Sequence, residues 1–305
     1  MTDSPSDIPP FSAREGSVEP VDPASQFSAS VRLLEFDQIR EEVAGYTRTV
    51  MGREAALSLS PSPDLLDIAT RQQETTEARQ YLDEGGSLEF GPEVDFRGGI
   101  HRALLGGFLQ GDELYAVRGL AAAARYDRGV LARHEDIPLL SSLAENLPDL
   151  GPLERAVSSA VSPAGEVLDD ASPDLRHLRQ ESRLAHHRLN EVMERNLRRL
   201  DRQDLVQEPI ITQRNGRLVL LIKAELRSRV PGIVHDVSDS GATVFIEPMP
   251  AIDPGNRWRE ARLAEEREEE RVLRDLSGLV GQAGQDLLLT LDLLARLDLN
   301  LAKGR

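Results

Sequence analysis

Basic side chains are concentrated in one stretch of the chain, and their spacing favours contact with phosphate groups. The stretch carries Arg214, Arg217, Lys223, Arg227 and Arg229. The last three alternate in a strand-like segment, and alternation can direct charges to one face, where they contact phosphates without reading bases. The alternative is an ordinary solvated edge, since charges also protect unpaired strands. Arg198, Arg199 and Arg202, shortly before this stretch, would extend the same surface.

A second polar group contains the residue types of a nucleophilic triad. His235, Asp236, Ser238, Asp239 and Ser240 lie within six residues. Neighbouring residues on a strand point to opposite faces, so closeness in sequence does not give triad geometry. We interpret this group as a polar turn between two strands. No catalytic residue is predicted.

Three histidines on a predicted helix, His177, His186 and His187, have a residue type that can bind metal ions. His186 and His187 diverge by about 100° on a helix and cannot share an ion. His177 and Glu181 have a usable spacing, but nothing nearby completes a tetrahedral set. We predict solvated histidines and no metal site. Trp258, the single tryptophan, is expected to support the junction where a helix leaves the strands.

A phosphate-binding loop is absent from the sequence. That loop needs Gly-x-x-x-x-Gly-Lys-Ser/Thr, and neither lysine fits, because Lys223 follows Ile222 and Lys303 follows Ala302. ATP hydrolysis within these residues is therefore not expected, and the chain is predicted not to be an enzyme by itself.

Composition narrows the class of protein. The 305 residues carry a net charge of −16, which argues against a general nucleic-acid or membrane-surface binder held by bulk charge. Cysteine is absent, which excludes disulfides, thiolate metal sites and cysteine nucleophiles. No apolar run reaches the ~18 residues of a membrane span. We expect a cytoplasmic, mainly helical protein without membrane contact.

Periodicity and punctuation divide the chain into five parts. Residues 1–30 are proline-rich and polar and are predicted to be a disordered tail. Residues 31–171 are expected to form a helical body of short helices. Ser172, Pro173 and Asp174 begin an outgoing helix over 172–206, whose narrow apolar stripe fits a two-helix coiled coil. Residues 207–250 are expected to form a β module, with a hairpin turn at Asn215–Gly216. Residues 255–305 form a returning helix, starting near Asn256, that re-enters the body.

Charge follows this division. Residues 172–275 contain 19 basic and 19 acidic residues, so all of the net negative charge lies elsewhere. We call the outgoing and returning helices the stalk and the β module its tip. The stalk and its tip are therefore where a polyanion meets the least repulsion.

Three stretches resemble the second-type branch of bacterial MutS proteins. They are Leu34-Glu-Phe-Asp-Gln-Ile39, Gly165-Glu-Val-Leu-Asp-Asp-Ala-Ser-Pro173 and Gln207-Glu-Pro-Ile-Ile-Thr-Gln-Arg-Asn-Gly-Arg217. The most specific likeness is Val230-Pro-Gly-Ile-Val-His-Asp-Val-Ser-Asp-Ser-Gly-Ala-Thr-Val-Phe-Ile-Glu-Pro248. The likeness runs from about residue 31 to the end. Asp253-Pro254-Gly255 departs from the family pattern and leaves the start of the returning helix open.

The resemblance implies a lever domain with a clamp domain at the tip of two long helices. It implies that the chain is part of a longer protein with an ATPase domain that uses ATP and magnesium, forms homodimers, and is often followed by a small nuclease domain. It also implies binding to branched DNA, suppression of homologous recombination, and the splitting of collided ribosomes through ribosomal RNA. Two alternatives stay open: a structural spacer that positions other domains, and a segment that itself cleaves nucleic acid.

Overall fold

The computed structural model describes residues 33–305, so the tail predicted over residues 1–30 lies outside the described part. A helical body comes first in the chain. Its helices are α1 (Phe36–Tyr46), α2 (Val50–Leu57), α3 (Leu65–Asp83), α4 (Arg97–Leu104), α5 (Gly111–Leu131), α6 (Pro138–Glu145) and α7 (Gly151–Ala160). A long apolar core joins α2 to α7, with Leu114, Leu120 and Leu140 among its fully buried side chains.

The stalk consists of α8 (Pro173–Asp201) and α9 (Ile252–Gln282). Helix α8 begins where the sequence predicts: the Ser172 hydroxyl accepts a hydrogen bond from the Leu175 amide, and Pro173 occupies the first helical position. The two helices are antiparallel, because Ser172 bonds Glu268 near one end while His186 stacks on Trp258 near the other. Helix α10 (Gly284–Gly304) then returns into the body core.

Helix α9 begins at Ile252, four residues before the predicted start at Asn256. Pro254 is tolerated there because the first amides of a helix have no partner within the helix. Gly255 leaves room for the Glu247 side chain, since an added Cβ would lie 2.8 Å from its carboxylate oxygen. The residues that look like a break therefore form the first turn.

The β module is a four-stranded antiparallel sheet. Its strands are β1 (Val206–Arg214), β2 (Arg217–Lys223), β3 (Gly232–Val237) and β4 (Thr243–Pro248), in the order β1-β2-β4-β3. Asn215 and Gly216 both have positive φ (52° and 75°), as a two-residue hairpin turn requires. Leu220 and Ile222 of β2 face α8 and bury against Met193 in a separate tip core. The mainly α fold with a small β subdomain is thus confirmed.

The body core and the tip core are separated along the stalk. Leu175 belongs to the body core and Leu189 to the tip core. The 14 residues between them span about 21 Å at 1.5 Å per residue, and Ser182 is the one buried residue of α8 in that interval. Within residues 33–305 no helix combines the length and apolarity needed to cross a bilayer.

Candidate nucleic-acid interface

The hairpin turn places Arg214 and Arg217 at the end of the sheet that faces the start of α9. The guanidinium of Arg217 bonds Asn256 at 2.7 Å and lies 3.4 Å from the carboxylate of Glu247. Arg214 covers the ring of Phe245 at 4.4 Å from its centre and lies 3.7 Å from Asp236. Both cations are already engaged by the fold.

Glu247 is the buried centre of this junction. Its side chain is 3% exposed, and His235 Nε2 lies 2.8 Å from its second carboxylate oxygen. The Arg217 guanidinium and the His235 ring therefore both contact one buried carboxylate, whose charge would be costly to bury alone. His235 faces Glu247, whereas Ser238 bonds the Thr243 amide at 3.0 Å. The structure brings no serine to the imidazole among these residues.

Lys223 lies at the opposite end of the sheet from Arg217. Its amide bonds the Leu205 carbonyl at 3.0 Å, and its ammonium bonds Asp204 at 2.7 Å. Strand β2 spans about 20 Å at ~3.3 Å per residue. The predicted phosphate-contact residues are thus distributed over both ends of the sheet, and the structure does not gather them in one patch.

The prediction that Arg227 and Arg229 lie in a strand-like segment is wrong. They do not alternate in a strand but lie in the 3₁₀ helix Ala224–Arg229. Because β2 and β3 run parallel on either side of β4, the chain must cross from the Lys223 end to the Gly232 end, and this helix makes the crossing. With three residues per turn, positions 227 and 229 point in different directions. Both side chains are exposed and have no carboxylate within 4 Å in the described chain.

The end of α8 carries the remaining predicted cations. Arg198 forms an exposed ion pair with Glu194 at 3.5 Å. Arg199 bonds the side-chain oxygen of Asn196 at 3.1 Å, and Arg202 bonds the Arg198 carbonyl at 3.0 Å. Neither Arg199 nor Arg202 has a carboxylate within 4 Å among residues 33–305.

Helix α8 and the 3₁₀ crossing lie on the same face of the sheet. Leu200 of α8 and Val230, which follows the crossing, are buried in the same tip core, and Leu226 packs against it. We define the tip patch as the cations at the C-terminal end of α8 and on the 3₁₀ helix without a described carboxylate partner: Arg199, Arg202, Arg227 and Arg229. This is the arrangement that can receive phosphate oxygens without first breaking an ion pair.

Arginines at the body end of the stalk have the opposite surroundings. Arg179 contacts Glu265 at 3.5 Å, Glu269 at 2.5 Å, and also Asp169. Hydrogen bonds from Arg179 and from Arg183 lower the pKa of Asp169 below its usual value. These cations are neutralised within the protein and hold the stalk to the body.

The histidines that were predicted to be solvated, His177, His186 and His187, are all exposed. The ring of His186 also lies against Trp258, with ring centres 4.8 Å apart. Trp258 packs against the tip core, as predicted for a junction residue. In the body, Glu84, His134 and Asp136 place one possible metal-ligand atom each within 4.8 Å of one another. Two of the three are exposed and His134 is half-buried; the trio lies in the helical body and was not anticipated from the sequence.

Arg188 and Arg195 were missed by the sequence analysis. Both are exposed on α8 and have no described carboxylate within 4 Å. Their seven-residue spacing from each other and from Arg202 was the signal available, because residues seven apart lie on one face of a helix.

A helical body that carries a β module on a paired-helix stalk defines the class of protein. No family model matches the chain. It is 41% identical over 276 residues to Endonuclease MutS2 of Symbiobacterium thermophilum, a match over 90% of this chain and 35% of that protein. It is 37% identical over 276 residues to Putative endonuclease MutS2 of Bacillus subtilis, over 89% and 35%.

A third relative, Endonuclease MutS2 of Thermomicrobium roseum, is 38% identical over 282 residues, covering 91% of this chain and 35% of that protein. The chain belongs to the MutS2 family, as the resemblance in its sequence predicted. It spans about 35% of the length of the curated relatives that it matches.

Proposed function

We propose that the stalk and tip bind the backbone of a nucleic acid without reading its sequence. The observation that carries the proposal is the tip patch, four exposed arginines on two elements that share the tip core, none with a described carboxylate partner. Guanidinium groups match phosphate oxygens in shape and charge. Arginine side chains are donors only, so the patch offers no acceptor for the amino groups of adenine or cytosine.

The position of the patch supports the same proposal. The net charge of −16 lies outside residues 172–275, which are neutral as a whole. The stalk carries the patch away from this negative body by more than the ~10 Å over which salt screens charge. A polyanion therefore reaches the tip with little repulsion.

The whole protein that the family implies gives this binding a use. The relatives are named as endonucleases, and the proposal leaves cleavage and ATP hydrolysis to residues outside this chain. In a homodimer two tips would hold one ligand, which raises the overall affinity without new contacts. The ligands we propose are branched DNA and ribosomal RNA, in the service of recombination suppression and of ribosome splitting.

The test is the salt dependence of binding by charge-reversed chains. Fluorescence anisotropy with a labelled 30-base-pair duplex and a four-way DNA junction, at several salt concentrations, compares the wild type with R227E/R229E. The control R133E/R267E makes the same charge change at exposed arginines outside the tip, neither of them ion-paired among residues 33–305. For R227E/R229E we expect a weaker affinity than for the wild type. The slope of log K against log salt concentration should be smaller in magnitude by about 0.9 for each lost phosphate contact.

Two results would refute the proposal. One is a wild-type chain that binds neither ligand at low salt. The other is an equal loss in R227E/R229E and in R133E/R267E, because the effect would then follow net charge and not position. If the chain does not bind nucleic acid and stalk length alone governs the activity of the full protein, the stalk is a structural spacer that positions other domains.

A further inference from the structure

The tip patch continues along the stalk as a row of arginines on one flank of α8. Arg188, Arg195 and Arg202 recur every seven residues, and Arg199 lies between the last two. At 100° per residue these four positions fall within about 60° of one another, and the row is about 21 Å long. All four side chains are exposed.

The row is distinguished by its lack of ion pairs. None of its four arginines has a carboxylate within 4 Å among residues 33–305, whereas Arg176 and Arg183 on the same helix both do. Of the nearest acids in sequence, Glu194 pairs with Arg198, and Glu191 lies 3.5 Å from His187, which forms an ion pair with it only when protonated. None of the four arginines of the row forms an ion pair on the helix that carries it.

The neighbouring helix adds to this flank. A groove of about 690 Å³ between α8 and α9 is lined by Arg188 and by Arg257, another exposed arginine without a described ion pair. Glu181 and Glu260 line the same groove toward the body, which limits the cationic part to the tip side. The arginines therefore outnumber the acids on the tip side of the groove, where Glu191 is an exposed acid of α8.

We infer that Arg188, Arg195, Arg199, Arg202 and Arg257 form a track for one strand of a nucleic-acid backbone that has left the tip patch. This inference rests on the proposed function and adds where the ligand lies: along the stalk, and not only across the β module. A straight row without aromatic side chains follows phosphates and does not stack on bases.

The experiment separates the track from the tip patch. The variants are R188E/R195E/R257E for the track, R227E/R229E for the tip, and R133E/R155E/R267E as a control of equal charge change. Fluorescence anisotropy measures the affinity of each variant for a 30-base-pair DNA duplex and for an RNA duplex of equal length. Polyglutamate serves as a competitor. Circular dichroism and melting temperature check that each variant is folded.

The track predicts roughly a tenfold weaker affinity for R188E/R195E/R257E, and a salt slope lower by about 1 for each lost contact. The control should stay within twofold of the wild type. Comparable losses with DNA and RNA identify the shared phosphate chemistry, and a loss with only one identifies the source of the strand.

Three outcomes would overturn the inference. If the wild type and the tip variant behave as proposed but the track variant binds like the wild type, the track is wrong while the proposed function stands. If the control loses as much as the track variant, position along the flank is irrelevant. Stronger displacement by polyglutamate than by unlabelled nucleic acid would assign the row to an acidic protein.

Discussion

The body end and the tip end of the stalk carry arginines in different electrostatic surroundings. At the body end Arg179 binds three carboxylates, and its side chain is 16% exposed. At the tip end Arg188 and Arg195 are exposed and have no carboxylate within 4 Å in the described chain. A buried guanidinium must be neutralised by the protein, but an exposed one is neutralised by water and salt and stays available to a ligand.

The comparison teaches which arginines in such a sequence are structural. Residue type does not separate Arg217, which compensates the buried Glu247, from Arg227, which faces solvent. What separates them is a contact made 30 residues further along the chain.

The tip core should be separable from the body core. Met193→Ala removes a fully buried side chain from the tip core, and we expect a loss of about 2–5 kcal/mol of local stability. Chemical denaturation followed by hydrogen exchange should show the β-module amides losing protection while α5 keeps its own. Equal loss in both regions would mean that the cores unfold as one unit.

Arg217 should behave as a structural residue. Arg217→Ala leaves Glu247 buried with one basic partner fewer, at a cost of about 3 kcal/mol in the free energy of unfolding. Urea denaturation checks this value, and R217A/E247Q should recover part of the loss. A variant that is fully stable but binds nucleic acid with a lower salt slope would instead place Arg217 in the interface.

Asp127 in the body is, like Glu247 at the tip, a buried acidic side chain. Burial raises the pKa of Asp127 to about 6, while the amides of Glu89 and Phe90 donate to its carboxylate. The folded state therefore holds its proton more tightly than the unfolded state, whose carboxyl titrates near 3.9.

The stabilisation from this proton is present below about pH 4 and is lost as pH rises through about 6. It amounts to the order of 2–3 kcal/mol. Urea unfolding of the wild type and of Asp127→Asn between pH 4 and 7 measures it, and the difference between the two should grow across that range. A constant difference would show that Asp127 does not titrate there.

The two ends of the stalk should respond differently to loss of an arginine. Arg179→Ala should lower stability by about 1 kcal/mol, because it leaves partly buried carboxylates without their partner. Arg188→Ala should stay within about 0.5 kcal/mol of the wild type. Thermal unfolding of the two variants measures both, and equal effects would remove the distinction on which the interface rests.

Local signals were enough to predict the framework. The Ser172 cap and the Asn215–Gly216 turn each depend on a few neighbouring residues, and the structure has both of them. The first turn of α9 was misjudged because Pro254 and Gly255 usually interrupt helices, and the close approach of Glu247 for which Gly255 leaves room comes from a strand.

The interface was predicted less well because it depends on distant contacts. Alternation at Arg227 and Arg229 looks the same in a strand as in the 3₁₀ crossing, and only the strand order β1-β2-β4-β3 forces the crossing. The engagement of Arg214 by Phe245 and of Lys223 by Asp204 is likewise set by the sheet and by the turn after α8. The seven-residue spacing of Arg188 and Arg195 was visible in the sequence and was overlooked.

The most direct test of the central claim is site-specific cross-linking. The chain contains no cysteine, so Ser228→Cys, between the two arginines of the 3₁₀ crossing, and Ser159→Cys, on the body, each give a unique exposed attachment point for a photoactivatable group. The account predicts that a labelled DNA duplex cross-links strongly at position 228 and at background level at position 159. Equal cross-linking at both positions, or more at 159, would contradict it.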